Sequence, residues 1–418
     1  MLTTGIFANR WWMVFGAVLG LMVNTGVIEV FTFAVFLKPI SEDLGIDRAT
    51  LGLLVVIGSA FATLSTPTFG KCIDYFGLRR VHLPMIVVYA AVIASMSLLQ
   101  GPFWLLAVFF ILRGTFGAGQ SPIAYSKAIA ATFDKDRGLA LGVAIAGVGI
   151  GVALMPLLAN YLISAYGWRE AFVGLGIAIL VFALIPGYLF EREPPANADN
   201  RKSSSNRVLP GMRYREAVLH GWRFWAITIA FFLGVVAVNG TLTQVVAMLS
   251  DRGFSRDAAV YALSISGIAL TIGRVVSGWL LDRMHGPYVA CFFLGSAAIG
   301  ITLLASGAGG SVPYIGTVLC GLGIGAEVDL MAFFISRYFG LRAFGAIYGS
   351  LFALFSLGNA VGPWLMGMSL RDSGSYVPMM IAFVVALGAA CALLLPLGPY
   401  RYVASQDEVA GAMGEEAA

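Results

Sequence analysis

Long apolar runs, separated by short breaks that contain charged residues, glycine or proline, recur along the whole chain. Because the hydrocarbon core of a bilayer is about 30 Å thick, a helix needs about 20 apolar residues to cross it. The pattern predicts twelve such helices, at residues 11–37, 50–69, 81–100, 103–126, 138–164, 169–190, 222–249, 257–281, 287–306, 313–335, 343–367 and 375–397. We therefore expect an all-α membrane protein with twelve transmembrane helices.

One long polar stretch, rich in proline, serine and basic residues, interrupts the apolar pattern near the middle of the chain. Such a composition is typical of a linker. It divides the chain into an N-terminal six-helix half (residues 1–190), a linker (191–220), a C-terminal six-helix half (221–400) and a tail (401–418).

The basic residues between the predicted helices are concentrated on one side of the membrane. On that side lie Arg10, Lys71, Arg79, Arg80, Lys135, Arg137, Arg283, Arg337, Arg342 and Arg401. Loops rich in Lys and Arg face the cytoplasm. We therefore predict a multi-pass protein of the inner or plasma membrane, with both termini and the linker in the cytoplasm.

The composition fits a membrane protein and excludes most enzyme classes. Of the 418 residues, 59% are hydrophobic and 11% are charged, and the mean hydropathy is +0.86, whereas a soluble domain is about 25% charged. The four cysteines are far apart, so no disulfide framework, metal site or cofactor is predicted. The sequence has no phosphate-binding P-loop and no Ser/His/Asp grouping, so we predict no catalytic residues, no use of ATP and no nucleic-acid partner.

The loop after the second predicted helix has a counterpart after the eighth. Residues 70–77 (GKCIDYFG) are echoed about 208 residues later by residues 278–286 (GWLLDRMHG). The pattern G-x-x-x-D-R-x-x-G at this place resembles the signature of the major facilitator superfamily, and the resemblance covers essentially the whole chain. It implies two pseudo-symmetric six-helix bundles and a gating or structural role for the loop residues Gly70, Asp74, Gly278, Asp282 and Arg283. Tyr75 departs from the signature, which usually has arginine there.

Further segments resemble two groups within that superfamily, the monocarboxylate porters and the oxalate/formate antiporters. They are residues 33–38 (FAVFLK), 137–142 (RGLALG) and 166–172 (YGWREAF), together with Arg274, eight residues before Asp282. The resemblance implies that Arg274 binds the substrate anion.

The chain also departs from both groups at three positions. Monocarboxylate porters have lysine where Phe31 stands and aspartate where Leu270 stands, so their proton relay cannot be transferred to this chain. Oxalate antiporters have a second cation where Phe355 stands. A single buried cation suits a monoanion better than a dianion.

Five charged residues lie well inside the predicted helices: Glu29, Arg113, Arg274, Glu327 and Asp329. Because a charge at the bilayer centre costs roughly 2.5–3.5 kcal/mol, each is a candidate functional residue. Arg274 lies about 12 Å from the cytoplasmic end of its helix, and its guanidinium matches a carboxylate with two N–H donors. We predict that it binds the substrate; packing or an internal ion pair is the alternative.

The other four charged residues are candidates for proton coupling. Glu29 and Arg113 are predicted at equal depth and so to form a pair, which resembles the first-helix acid and fourth-helix arginine of proton-coupled sugar porters. A static salt bridge is the alternative. Glu327 and Asp329 are about 200° apart around their helix, so only one of them can face Arg274.

Polar and aromatic residues complete the candidate substrate site: Asn24, Gln120, Tyr125, Asn239, Gln244 and Tyr348. Hydrogen bonds between helices, worth about 0.6 kcal/mol each, are the alternative role for any of them. The spacings Gly147-x-x-x-Gly151 and Gly358-x-x-x-Gly362 predict packing seams between helices.

These features predict a secondary transporter that works by alternating access, with no enzymatic activity. The expected cargo is a small organic monocarboxylate anion that crosses with a proton. Alternatives are an anion exchanger of the oxalate/formate type and a proton-driven efflux antiporter for drugs or cations, with Glu29, Glu327 or Asp329 as the cation site. The predicted partners are the anion, the proton and the lipid bilayer, and the predicted functional unit is a monomer.

Overall fold

The computed structural model describes residues 10–133, 137–190, 211–281, 283–340 and 342–402. Twelve helical segments in these residues are long and apolar enough to cross a membrane, which confirms the predicted twelve-helix fold; we number them spans 1 to 12. The helices are Trp11–Met22 and Phe33–Leu44 (span 1), Arg48–Phe76 (span 2), Leu78–Ser95 (span 3), Phe103–Gly117 and Pro122–Thr132 (span 4), Arg137–Tyr166 (span 5), Trp168–Ile179 and Ile185–Phe190 (span 6), Tyr214–His220 (linker), Trp222–Asp251 (span 7), Arg256–Leu281 (span 8), Gly286–Ala305 (span 9), Val312–Phe339 (span 10), Phe344–Ser373 (span 11) and Val377–Leu394 (span 12).

Span 1 is longer than the apolar run that predicts it. The run ends at residue 37, whereas the helix continues through Lys38 and Pro39 to Leu44. It stops at Gly45, whose φ of 64° lies in the left-handed region that glycine adopts without strain. A hydropathy pattern marks the part of a helix that lies in lipid, so the final polar turns were not predicted.

The two halves of the chain touch along span 2 with span 11 and along span 5 with span 8. Glycine allows this close approach, because a Cβ on Gly52 would lie 2.7 Å from the Cα of Trp364. In the second pair, a Cβ on Gly149 would collide with the side-chain oxygen of Thr271. Backbone contact of this kind is typical of packing between membrane helices.

The predicted glycine seams lie within the halves. Cβ atoms on Gly147 and Gly151 would collide with backbone oxygens of span 1, and a Cβ on Gly362 would collide with a backbone oxygen of span 7. Gly358 faces Val235 of the same span 7. The packing role predicted from the two spacings is confirmed.

An even number of spans puts both ends of the described chain on one face, which we call the terminal face; the opposite one is the distal face. The halves are joined by polar contacts at the distal face. Lys38 Nζ and Arg48 Nη1 lie 3.0 and 2.5 Å from the carboxylate of Asp251, and Arg48 also donates to the Tyr376 hydroxyl. From these contacts we infer that the distal face is closed.

The described end of the linker and the start of the tail both dock on the end of span 10. Met212 N donates to Phe339 O over 2.8 Å, and Arg401 N donates to Arg337 O over 3.1 Å. The linker helix Tyr214–His220 follows this contact. The remainder of the predicted linker and tail, residues 191–210 and 403–418, lies outside the described residues.

Asp251→Asn should weaken the distal closure, because asparagine keeps the shape of the side chain but loses the charge that Lys38 and Arg48 share. Spin labels are placed at positions 42 and 373, one in each half, and the distance between them is measured by pulsed electron paramagnetic resonance. The population with longer distances should be about threefold larger in Asp251→Asn than in wild type, the size expected for losing partly exposed ion pairs. The four native cysteines are replaced before labelling.

Asp372→Asn is the matched control, since Asp372 lies on the same face but pairs with Arg371 of its own half. An unchanged distance distribution in Asp251→Asn would show that the ion pairs do not hold this face closed.

Candidate functional site

An ion pair between spans 8 and 10 lies deep in the membrane region. Arg274 Nε is 3.2 Å from Asp329 Oδ2. Arg274 lies seven residues, or about 10 Å, from the terminal-face end of span 8. The side chains are 22% and 39% exposed. Since the distal face is closed, we infer that solvent reaches the pair from the terminal face.

The spacing of small residues explains why these two side chains meet. On span 10, Gly321, Gly325 and Asp329 follow one another at intervals of four residues and so share one face. Cβ atoms on the two glycines would collide with the carbonyl oxygens of Ser266 and Leu270 on span 8. Arg274 is the next residue in that series of four. The contact between the backbones therefore places Asp329 beside Arg274.

This arrangement restores a carboxylate that the sequence lacks on span 8. Leu270, one turn before Arg274, stands where the resembling porters have aspartate, and its side chain is buried. Asp329 reaches the same arginine from the neighbouring helix. The sequence left open whether Glu327 or Asp329 faces Arg274, and the structure places Asp329 there.

Glu327 has a different environment. Its side chain is buried, and neither carboxylate oxygen has a hydrogen-bond partner among the described residues. It faces Gly234 of span 7, where a Cβ would lie 2.8 Å from Glu327 Oε1 and 3.1 Å from Leu294 of span 9. Glu327 thus occupies a small enclosed space between three helices. An uncompensated charge there would cost several kcal/mol.

Glu29 and Arg113, predicted to pair from their equal depth, are in contact. Arg113 Nε lies 3.5 Å from Glu29 Oε2, and the Tyr89 hydroxyl donates to Glu29 Oε1 over 3.3 Å. Gly117 on span 4 leaves room for the carboxylate, because a Cβ there would lie 2.7 Å from Glu29 Oε1. Glu29 sits in a π-helical segment of span 1, Val27–Thr32, a feature that often occurs at functional sites.

Aromatic rings seal the pair of Glu29 and Arg113. The guanidinium lies over the rings of Phe33 and Phe110, 4.7 Å from each centroid, and the two charged side chains are 7% and 2% exposed. In this conformation the pair is an interior contact of the N-terminal half, separate from the solvent-reachable pair of Arg274.

The polar substrate-site candidates are buried between helices. Gln120 donates to Gly20 O and to the Tyr125 hydroxyl over 3.1 and 2.9 Å. Asn24 donates to the carbonyl oxygen of Leu21 in its own helix, and Gln244 donates to that of Pro363 in span 11. A role in substrate binding stays a prediction, and it would require these residues to change partners.

The structure describes the signature loops only in part. Within the described part of the chain, no neighbouring side chain or backbone atom lies within 4 Å of a Cβ placed on Gly70 or Gly278. Arg283 donates to Trp279 O over 3.1 Å and lies over its ring. The side chain of Asp74 and all of Asp282 lie outside the described residues, so the predicted gating role remains a prediction.

Sequence reasoning named Tyr348 as a candidate but missed the aromatic series that it begins. Tyr348, Phe352 and Phe355 of span 11 stack in succession, with ring centroids 5.7 and 5.8 Å apart. Tyr348 is within electrostatic reach of both Asp329 and Arg274. The available signal was the spacing i, i+4, i+7 of aromatic residues, which places them on one face of a helix.

The described residues thus form twelve helices long and apolar enough to span a membrane, with a partly exposed charge pair within two of them. The chain belongs to the Major Facilitator Superfamily, whose sequence profile matches residues 13–363. It is therefore a transporter and not an enzyme.

Comparison with known proteins agrees with this membership. The chain is 24% identical to a gallate transporter of Pseudomonas putida over 77% of this chain and 81% of that protein. It is 25% identical to monocarboxylate transporter 13 of Bos taurus over 91% and 86% of the two chains. A bacterial homologue of the human lysosomal transporter Spinster, solved in an inward-facing and occupied conformation, matches 93% of this chain and 96% of its own with a TM-score of 0.69 and 19% identity.

Gly325→Ala should separate Arg274 from Asp329, because the added methyl group would collide with the Leu270 carbonyl and push span 10 away from span 8. We expect a stability loss of about 1–3 kcal/mol, the usual cost of overpacking, measured as a lower melting temperature in detergent, together with a loss of transport.

Gly295→Ala on span 9 is the control, since its Cβ would meet no atom within 4 Å. Equal stability and transport of the two variants would contradict the role assigned to the seam between spans 8 and 10.

Proposed function

We propose that the protein carries a small organic monocarboxylate anion together with a proton, and that Arg274 binds the anion. The observation that carries this proposal is the pair of Arg274 and Asp329, which lies within two membrane spans and whose side chains are nevertheless 22% and 39% exposed. The similarity to a gallate transporter and a monocarboxylate transporter supports an organic anion as the cargo.

The chemistry of Arg274 favours a carboxylate ligand. A guanidinium is permanently charged and offers parallel N–H donors that fit the two oxygens of a carboxylate. Arg274 Nε is close to Asp329 but has no hydrogen-bond acceptor among the described residues, so donor capacity remains for a ligand. An incoming carboxylate would compete with Asp329 for the same cation.

This competition links the anion to a proton. When the substrate occupies Arg274, Asp329 loses its partner, and an unpaired charge within the membrane spans is costly. A proton from solvent, added to a carboxylate oxygen of Asp329, removes that charge. Anion and proton then cross as a neutral pair, and the membrane potential, worth about 2.3 kcal/mol per charge per 100 mV, does not oppose their entry.

A comparison of the three acids within the spans supports Asp329 as the proton carrier. Glu29 is held between Arg113 and Tyr89 in a closed interior. Glu327 is buried away from solvent. Asp329 combines solvent access with direct contact to the proposed anion site.

The distribution of Lys and Arg supports an inner or plasma membrane location with the terminal face in the cytoplasm. Under this proposal the closed distal face makes the described conformation inward-facing. A monomer can function alone, because the whole site lies within one chain.

Arg274→Lys should lower the uptake of labelled lactate or benzoate into proteoliposomes by at least about tenfold, because lysine keeps the charge but cannot form two parallel N–H bonds. Protein-free liposomes are subtracted, since uncharged acids cross lipid unaided. Arg371→Lys, at an exposed arginine of the distal face, is the control. Uptake at the wild-type rate by Arg274→Lys would argue against the proposed anion site.

Asp329→Asn should retain exchange of internal for external anion but lose accumulation driven by a pH gradient, because asparagine cannot accept the proton. Both activities are measured in the same proteoliposomes, so that exchange reports correct folding. Accumulation at the wild-type level in Asp329→Asn would remove Asp329 from the coupling mechanism.

Glu29→Gln in the same assays separates the candidate acids. If Glu29→Gln still exchanges internal for external anion, we expect it also to retain accumulation driven by a pH gradient. Loss of accumulation in Glu29→Gln alone would assign the proton to Glu29. A wild-type protein that exchanges anions and ignores the pH gradient would be an exchanger.

A further inference from the structure

The surface next to the Arg274 guanidinium is aromatic. Tyr348 lies within electrostatic reach of Arg274 and Asp329, and Phe352 stacks on it with ring centroids 5.7 Å apart and ring planes 15° from parallel. Phe355 continues the stack at 5.8 Å and 25°. Three rings thus form a continuous strip on one face of span 11 that begins at the charged site.

The strip leads inward from the charged pair. Span 11 runs from the terminal face to the distal face, so Phe352 lies one helical turn, about 6 Å, farther towards the closed face than Tyr348. Phe355 is buried, whereas Phe352 is 38% exposed between its two neighbours. Phe352 is therefore the most exposed ring of the strip.

The opposite side of span 11 has other contacts. Gly358 and Gly362 face span 7, and Trp364 faces Gly52 of span 2. Packing against neighbouring helices thus accounts for those positions, while the ring of Phe352 stays 38% exposed, one helical turn from Tyr348. A charged donor near a partly exposed aromatic ring suits a planar ring that carries a single carboxylate.

We propose that the substrate is an aromatic monocarboxylate of the benzoate type, with its carboxylate on Arg274 and its ring against Phe352. This inference rests on the proposed function of Arg274 as the anion site and adds the chemical class of the substrate. Tyr348 and Phe352 are one helical turn, about 6 Å, apart along span 11. This separation matches the distance in benzoate from the carboxylate to the far edge of the ring.

The test measures binding to the purified full-length protein in detergent by titration calorimetry, which avoids the passive crossing of weak acids. Three acids are compared: benzoate, cyclohexanecarboxylate, which has a similar ring without a π face, and lactate. We expect benzoate to bind about 2- to 12-fold more tightly than cyclohexanecarboxylate, the range that corresponds to an aromatic contact of 0.5–1.5 kcal/mol.

Phe352→Leu should abolish that preference and leave lactate binding within about twofold, because leucine keeps the apolar surface but removes the ring. Phe352→Tyr, which retains the ring, should keep the preference. Phe292→Leu is the matched control, since Phe292 is an exposed phenylalanine of span 9, away from the strip.

The outcomes separate this inference from the proposed function. Equal binding of benzoate and cyclohexanecarboxylate, or a preference that persists in Phe352→Leu, overturns the aromatic class. If Arg274→Gln then loses lactate binding, the proposal that Arg274 binds the anion still stands. Binding of all three acids that is unchanged in Arg274→Gln overturns both. Failure of benzoate to bind while lactate binds overturns the aromatic class alone.

Discussion

The cost of an unpaired charge inside a bilayer governs the arrangement of this protein. Arg274 and Arg113 each meet a carboxylate, but in contrasting ways. In the N-terminal half the pair is enclosed by phenylalanine rings and a tyrosine, which leaves little freedom to exchange partners. In the C-terminal half the pair is partly exposed, which leaves more freedom for an exchange of partners. Under the proposed function, only this second pair binds the substrate.

The two halves also place a carboxylate against a glycine in mirrored fashion. Glu29 of span 1 occupies the space left by Gly117 of span 4, and Glu327 of span 10 occupies the space left by Gly234 of span 7. Spans 1 and 4 correspond to spans 7 and 10 in the internal repeat, so the acid and the glycine have exchanged helices. The duplicated fold thus tolerates a buried acid at this interface from either side, and among the described residues the N-terminal copy alone gives it a cation.

The sequence was sufficient to predict the twelve spans, the pairing of Glu29 with Arg113 and the depth of Arg274, because these follow from hydropathy and distance along a helix. It could not decide between Glu327 and Asp329. That choice depends on which face of span 10 contacts span 8, and Gly321 and Gly325 fix that face through contacts with a distant segment of chain. The aromatic strip was missed for a similar reason, since aromatic residues at helical spacing are common wherever helices pack. Which residues of Asn24, Gln120, Tyr125 and Gln244 line a cavity depends equally on tertiary contacts, and all four are buried here.

The seam between spans 8 and 10 has a mechanical consequence. Both helices belong to the C-terminal half, and their backbones touch at Gly321, Gly325 and Gly273. A rigid-body rotation of one half against the other therefore carries Arg274 and Asp329 together, with their separation unchanged. Such a rotation cannot part this pair. Under the proposed function, the pair opens when an anion or a proton competes for one of its members, so occupancy by a ligand, rather than the tilt of the bundles, sets the state of the charged site.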